Sequence, residues 1–187
     1  MIPDELAIFK LSRSHQPGTD LIGKLIARHQ SIVDMITTEL LNAKEGTYTG
    51  SNTAFADGIE CDVLYVPQSS NSPSLPPIII DVQHTVTQTF MARAAQYCLN
   101  VFHRSHVLPK HFAKFCYLVT KGSIDWYVDN VDEDMNPIVE FGHFLLSGQQ
   151  SIIGIDRWDA LTILKLYSIA KDVMDNGTNV DTTEGIT

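Results

Sequence analysis

Three consecutive isoleucines at positions 78–80 lead directly into Asp81, Val82 and Gln83. The preceding segment, 67–77, is rich in serine and proline and cannot continue a helix. A short run of branched apolar residues after such a break is typical of a strand buried on both faces, so we predict that the run forms a central strand. Burying a carboxylate at its end costs free energy unless the group is paired or bound to a metal, which makes Asp81 the first candidate functional residue.

The remaining hydrophobic pattern surrounds that strand with helices and further strands. Residues 19–44 carry apolar side chains at three- and four-residue steps and predict one long amphipathic helix. After a turn-rich stretch at 46–52, β-branched and aromatic residues predict a strand over 59–66. The helical period returns over 87–106, and residues 115–120 predict a third buried strand. The order helix, strand, strand, helix, strand predicts an α/β domain.

The length of the chain favours a single domain. With 187 residues it can bury one sizeable core and is short for two. We therefore predict one domain over residues 1–175, with its core at about 19–120 and a C-terminal helix at about 156–174. The polar segment 176–187 is predicted to be a flexible tail.

Charge and cysteine content exclude several classes of protein. The net charge is −9, whereas a protein that coats nucleic acid or an anionic membrane with its whole surface is basic. No apolar stretch approaches the roughly 20 residues that span a bilayer, so we expect no membrane partner. The three cysteines, Cys61, Cys98 and Cys116, lie far apart and lack the spacing of a zinc site. This favours reduced thiols in an intracellular compartment, either nuclear or cytoplasmic.

Basic residues follow the acid-ended strand. No Asp or Glu occurs from Val82 to Ile124, so phosphate contacts would be local to this part of the surface. A helix over 87–106 would carry a polar stripe able to follow a nucleic-acid backbone. The residues that we predict to bind nucleic acid are Arg93, Arg104, Lys110 and Lys114, with Lys24 and Arg28 of the first helix as an opposite bank.

A second acid is predicted to lie beside Asp81. Asp62 belongs to the preceding strand, and two carboxylates brought together repel each other. A hard divalent cation such as Mg²⁺ relieves that repulsion and prefers oxygen ligands. Alternation along a strand places Gln83 on the same face as Asp81 and Glu60 on the same face as Asp62. Glu60 could therefore approach the metal together with Asp62. Glu60 and Asp57 are also alternatives to Asp62, although Asp57 is predicted to belong to the turn before the strand.

The acids, the amide and the order of elements together resemble a known family. Asp62 followed on the next strand by Asp81, Val82 and Gln83 is similar to the motif of the PD-(D/E)XK nuclease superfamily. Glutamine in place of the usual lysine resembles the branch of recombination-promoting nucleases and transposase-associated nuclease domains. This resemblance covers about 19–120 and implies a restriction-endonuclease-like core, in which a central mixed β-sheet is flanked by helices.

The resemblance also implies a chemistry for individual residues. Asp62, Asp81 and the backbone carbonyl of Val82 would ligate Mg²⁺ or Mn²⁺, and Gln83 would position the attacking water. Because neutral glutamine cannot withdraw a proton electrostatically, the metal would do more of the activation. The family's helical acid maps best to Glu39, for which an ordinary surface carboxylate is the alternative.

The resemblance therefore implies a metal-dependent phosphodiesterase that would cleave DNA as an endonuclease. Enzymes that cut both strands with one site per chain commonly dimerise, which makes a homodimer one possible assembly, although the sequence does not give the oligomeric state. Two alternatives stay open at this point. One is an inactive nuclease-like module, derived from a mobile element, that binds protein or nucleic acid. The other is an RNA-directed nuclease on the same fold.

Overall fold

The computed structural model describes residues 2–68, 75–82, 85–105, 124–126, 129, 135–156 and 160–177. The chain divides into two compact units, one of residues 1–26 and 119–187 and the other of residues 27–118. The helices are α1 (Asp4–Ile8), α2 (Asp20–Ala27), α3 (Gln30–Leu41), α4 (Gln88–Ser105), α5 (Pro137–Ser147) and α6 (Leu161–Gly177). The strands are β1 (Tyr48–Gly50), β2 (Val63–Pro67) and β3 (Ile78–Ile80).

The first unit is helical in its described part. Its helix α5 begins with Asn136, whose side chain accepts a hydrogen bond from the amide of Ile138, and ends at Gly148 in the left-handed region. Helices α5 and α6 pack through Phe144 and Tyr167, whose rings meet edge to face with centroids 5.1 Å apart. The C-terminal helix predicted at 156–174 corresponds to α6. Of the predicted tail, residues 178–187 lie outside the described residues.

The second unit is built on an antiparallel sheet in the order β1-β2-β3. The central strand β2 pairs with β3 so that Val63 lies opposite Ile80. One face carries Leu64, which packs with Tyr97 and Val101 of α4. Alternation puts Tyr65 on the other face, where its hydroxyl donates a hydrogen bond to the carbonyl of Ala27. Helix α4 thus covers the face on which Leu64 lies.

The predicted long helix over 19–44 is wrong, because the structure divides it into α2 and α3. At His29 the backbone turns extended, with φ −67° and ψ 131°, and the imidazole Nδ1 accepts a hydrogen bond from the amide of Ser31. His29 therefore caps the start of α3 and satisfies one of the amides that a helix leaves unbonded at its first turn. The apolar period runs through the break, so periodicity alone does not reveal it.

Two strand predictions also need correction. The three isoleucines of β3 are half-buried, because β3 lies at the edge of the sheet that the described residues form and β2 is its centre. The turn-rich stretch at 46–52 contains β1, whose residues gain their hydrogen bonds by pairing with β2. The three described strands run antiparallel to their neighbours, and the strand predicted at 115–120 lies outside the described residues.

The structure therefore supports an α/β arrangement with a small open antiparallel sheet and several helices. The helix predicted over 87–106 is confirmed as α4, which follows the sheet in the chain. Across the described part of the chain, no helix is both long enough and apolar enough to cross a membrane.

Candidate metal centre

Asp62 and Asp81 lie at the same end of the β2–β3 pair. The last paired residues are Val63 and Ile80, so Asp62 directly precedes the paired region and Asp81 directly follows it. Continuing the same register places the two acids opposite each other. Side chains that face each other across antiparallel strands have Cβ atoms about 5 Å apart, and like charges in this position destabilise the pair.

A hydrogen bond joins the strand ends that carry these acids. The amide of Val82, the residue after Asp81, donates to Oδ2 of Asp62 over 2.8 Å. This bond holds the carboxylate of Asp62 against the backbone that leaves β3. A carboxylate has about four acceptor positions, so accepting the hydrogen bond from the Val82 amide is compatible with a further role of Asp62 as a metal ligand.

Asp81 contacts two side chains of α4. Its side chain is only 8% exposed, and its Oδ1 lies 3.7 Å from Nη2 of Arg93, which is 41% exposed. The hydroxyl of Tyr97 donates a hydrogen bond to the same carboxylate. The guanidinium of Arg93 also stacks over the rings of Phe90 and Tyr97, 5.8 and 5.9 Å from their centroids. Helix α4 thus supplies one positive charge and one hydroxyl to Asp81.

The negative charge at this end of the sheet perturbs two neighbouring groups. Burial raises the pKa of the Tyr97 phenol to about 12, and the carboxylate of Asp81 adds to this effect. Burial likewise raises the pKa of the Cys61 thiol to about 11, with further contributions from Asp81, Asp62 and Glu60. Both groups are therefore neutral at physiological pH, and neither is activated as a nucleophile.

The other predicted acids occupy different surroundings. Glu60 is exposed and accepts a hydrogen bond from the hydroxyl of Thr53 over 2.8 Å. Asp57 is exposed and accepts from the amide of Asn100 over 2.8 Å, and this bond lowers its pKa. Glu39 is exposed on α3. Among the described residues, no group of three or more histidine, cysteine, aspartate or glutamate side chains is placed to hold a metal ion.

The predicted nucleic-acid-binding arginines make contacts within the second unit. Arg104 donates to the carbonyl of Asn52 over 2.6 Å and to the hydroxyl of Ser51 over 3.2 Å. Arg28 donates to the hydroxyl of Thr53 over 3.3 Å. These arginines tie α4 and the segment before α3 to the loop that precedes β2. Guanidinium groups have five donors, so such contacts leave the positive charge in place on the surface.

Three of the predicted site residues are not described, namely Gln83, Lys110 and Lys114. Lys24 is half-buried on α2 and belongs to the first unit. The roles predicted for these four residues therefore stay predictions.

Sequence reasoning missed the part played by Tyr97. Its position on the apolar stripe of α4 predicts a packing residue, and it is indeed only 2% exposed. A signal was nevertheless available, because Arg93 and Tyr97 are four residues apart and share one side of a helix. A cation and a hydroxyl on that side can both reach a carboxylate at the edge of the facing sheet.

The two carboxylates are the kind of oxygen ligand that a hard divalent cation prefers. Proteins commonly bind Mg²⁺ through one or two carboxylates and leave its other positions to water and substrate phosphate. Asp62 and Asp81 provide two carboxylates at the same end of the β2–β3 pair. Comparison with known proteins adds no independent guide, since no protein-family model, curated protein or solved structure matches the chain.

Proposed function

We propose that this protein is a metal-dependent phosphodiesterase that cleaves DNA, with a site of the PD-(D/E)XK type. The observation that carries the proposal is the placement of Asp62 and Asp81 at one end of the β2–β3 pair, joined by the bond from the Val82 amide. Two facing carboxylates are unfavourable without a cation. Their order along the chain also matches the motif from which the family resemblance was drawn.

Each residue of the proposed site has a distinct task. Asp62 and Asp81 hold the cation, and the Val82 amide fixes the carboxylate of Asp62 so that it need not reorient on binding. Gln83 orients the attacking water through its amide. When bound, Mg²⁺ or Mn²⁺ supplies Lewis-acid stabilisation of the phosphate and lowers the pKa of water.

Charge along the chain supports nucleic acid as the substrate. The acid-free stretch from His84 to Ile124 begins immediately after Gln83, so the basic surface and the proposed cation site share one region of sequence. The backbone of DNA carries regularly spaced negative charges that such a surface attracts. Overall acidity then disfavours indiscriminate coating of DNA.

Cleavage of supercoiled plasmid tests this proposal. The wild-type protein and Asp81→Asn are incubated with Mg²⁺, with Mn²⁺ and with chelator, and nicked and linear products are quantified. We expect metal-dependent nicking by the wild type and a loss of at least about a hundredfold in the variant, because one of two charged ligands is removed. Single-stranded RNA in parallel reactions distinguishes an RNA-directed enzyme.

Glu45→Gln provides a matched control. Glu45 is an exposed acid of the same unit, in the turn after α3, and its substitution changes the net charge by the same amount. It is expected to cleave like the wild type. Cleavage that persists in chelator, or that survives in Asp81→Asn, contradicts the proposal.

One observation favours a second candidate function. Arg93 already supplies a positive charge to Asp81, as expected in a nuclease-like module that has lost its cation and now binds nucleic acid or protein. This candidate predicts no cleavage of any substrate and no rise in melting temperature with Mg²⁺ or Mn²⁺.

A further inference from the structure

We propose that Arg93 is an internal counter-ion that occupies Asp81 in the absence of metal and competes with the divalent cation for it. The guanidinium thereby sets how tightly the cation binds. This inference rests on the proposed function, because it concerns the regulation of the same site.

Two negative charges lie close together at this end of the sheet. Asp62 and Asp81 flank the last paired residues of β2 and β3, so continuing the register places them opposite each other, and the side chain of Asp81 is only 8% exposed. Water therefore screens its charge poorly, and the carboxylate of Asp62 adds a second negative charge nearby. When no metal is bound, a positive charge of the protein itself is therefore favourable beside Asp81.

Helix α4 places the positive charge of Arg93 beside Asp81. Nη2 of Arg93 lies 3.7 Å from Oδ1 of Asp81, within the range of an ion pair. The rings of Phe90 and Tyr97 flank the guanidinium and restrict the positions that it adopts. At the same time 41% of the Arg93 side chain is exposed, so it can leave Asp81 for solvent without unfolding the core.

The Arg93–Asp81 contact and the binding of a cation to Asp81 are thermodynamically linked. A cation that binds Asp81 must displace the guanidinium or share the carboxylate with it, and either event is opposed by repulsion between two positive charges. The Arg93–Asp81 contact therefore weakens metal binding, and metal binding weakens that contact by the same factor. Tyr97 differs in this respect, because its hydroxyl is neutral and donates to the carboxylate without opposing the cation.

Titration of the whole chain with Mn²⁺ by calorimetry tests the proposal. The proteins compared are wild type, Arg93→Gln, Arg104→Gln and Asp81→Asn. Arg104→Gln is the matched control, since it removes the same charge from the same helix at a residue bonded to Asn52 and Ser51. We expect Arg93→Gln to bind Mn²⁺ about fivefold more tightly than wild type and Arg104→Gln to bind like wild type.

A second measurement keeps the test independent of the stability of the variant. In the wild-type protein, the NMR signal of the Arg93 Nε–H group is followed during titration with Mg²⁺, and it is expected to shift as the guanidinium leaves Asp81. Its assignment comes from its absence in Arg93→Lys. A signal that stays in place while metal binds overturns the proposal.

The outcomes separate this inference from the proposed function. Binding of Mn²⁺ that requires Asp81 but is no tighter in Arg93→Gln, or that is equally tighter in Arg104→Gln, overturns the counter-ion role alone. Absence of binding in both the wild type and Arg93→Gln overturns the metal site, and the counter-ion role falls with it. Tighter binding in Arg93→Gln only, abolished by adding Asp81→Asn, supports both.

Discussion

The carboxylate of Asp81 shows how one residue can specify a local arrangement. It follows three apolar residues at a sheet edge, and its charge is met by Arg93 and the hydroxyl of Tyr97 from a helix that comes later in the chain. Partially desolvated charges need such partners, so they select the position of α4 more strictly than apolar contacts do. Burial, with a smaller contribution from the charge of Asp81, raises the pKa of the neighbouring Cys61 thiol and keeps it protonated.

Cys61 is therefore expected to resist alkylation in the native protein. It is fully buried and its pKa is raised to about 11, so at pH 8 only about one thiol in a thousand is ionised. Iodoacetamide treatment followed by peptide mass spectrometry should find Cys61 unmodified until denaturant is added. Half-buried Cys98 is the internal comparison and should react first.

The raised pKa of Cys61 also makes the stability of the fold depend on pH. The pKa of the folded thiol is higher than its ordinary value of 9.0, so the protonated form stabilises the fold below pH 9 and this contribution is lost as pH rises through 11. Native labelling of Cys61 at pH 8 as fast as that of Cys98 contradicts the burial and the raised pKa.

At the scale of elements, α4 organises the second unit through two kinds of contact. Tyr97 and Val101 pack on the sheet, while Asn100 and Arg104 bond to the loop before β2. This explains why the polar stripe of α4 lies beside its buried side. A residue such as Arg104 that ties a loop to a helix can still contribute its charge to a nucleic-acid surface.

The break between α2 and α3 gives a prediction about stability. His29 caps α3 through a long hydrogen bond of 3.3 Å from the Ser31 amide, and aspartate is a better cap that also favours the positive end of the helix. His29→Asp is expected to raise the free energy of unfolding by about 0.5–1 kcal/mol, measured by urea denaturation.

His29→Ala is the matched control for this substitution. It removes the acceptor and is expected to lower the free energy of unfolding. Equal stability of the aspartate and alanine variants would show that residue 29 does not cap α3.

The elements differ in how far the sequence foretells them, for physical reasons. Helix α4 has a regular apolar stripe and is predicted almost to the residue. Strand β1 is three residues long and forms by pairing with β2, which its turn-rich composition does not reveal. Helix α5 depends on its caps at Asn136 and Gly148, while its local pattern is weak.

The candidate site follows the same division. Asp62 and Asp81 were predictable because acids next to apolar strand residues are unusual, and the structure brings them to one end of the sheet. Their partners on α4 were not predictable, because an ion pair between distant segments depends on how a helix packs. Arg93 was assigned to nucleic acid from its place on the polar stripe of α4, and the structure places its guanidinium 3.7 Å from Asp81.

For the whole molecule, the net charge of −9 limits how nucleic acid can be bound. The proposed binding to nucleic acid would rely on a local basic surface rather than on the average field of the protein. The metal site, if filled, offsets part of the negative charge where the substrate phosphate would lie.

DNA binding is therefore expected to be strongly sensitive to salt. If four of the six proposed basic residues contact phosphates, the association constant should fall about a hundredfold between about 50 and 200 mM salt. Fluorescence anisotropy of a labelled duplex with Ca²⁺, which is not expected to support cleavage, measures this directly. An association constant that does not change over this range contradicts a phosphate-binding surface.

The proposed activity requires Asp62 and Asp81 together to hold a divalent cation. Crystals of the whole chain grown with Mn²⁺, measured at a wavelength where manganese scatters anomalously, test it most directly. We predict an anomalous peak about 2.2 Å from a carboxylate oxygen of each aspartate. A map without a peak at this end of the β2–β3 pair, or with Mn²⁺ bound only elsewhere, would contradict the claim.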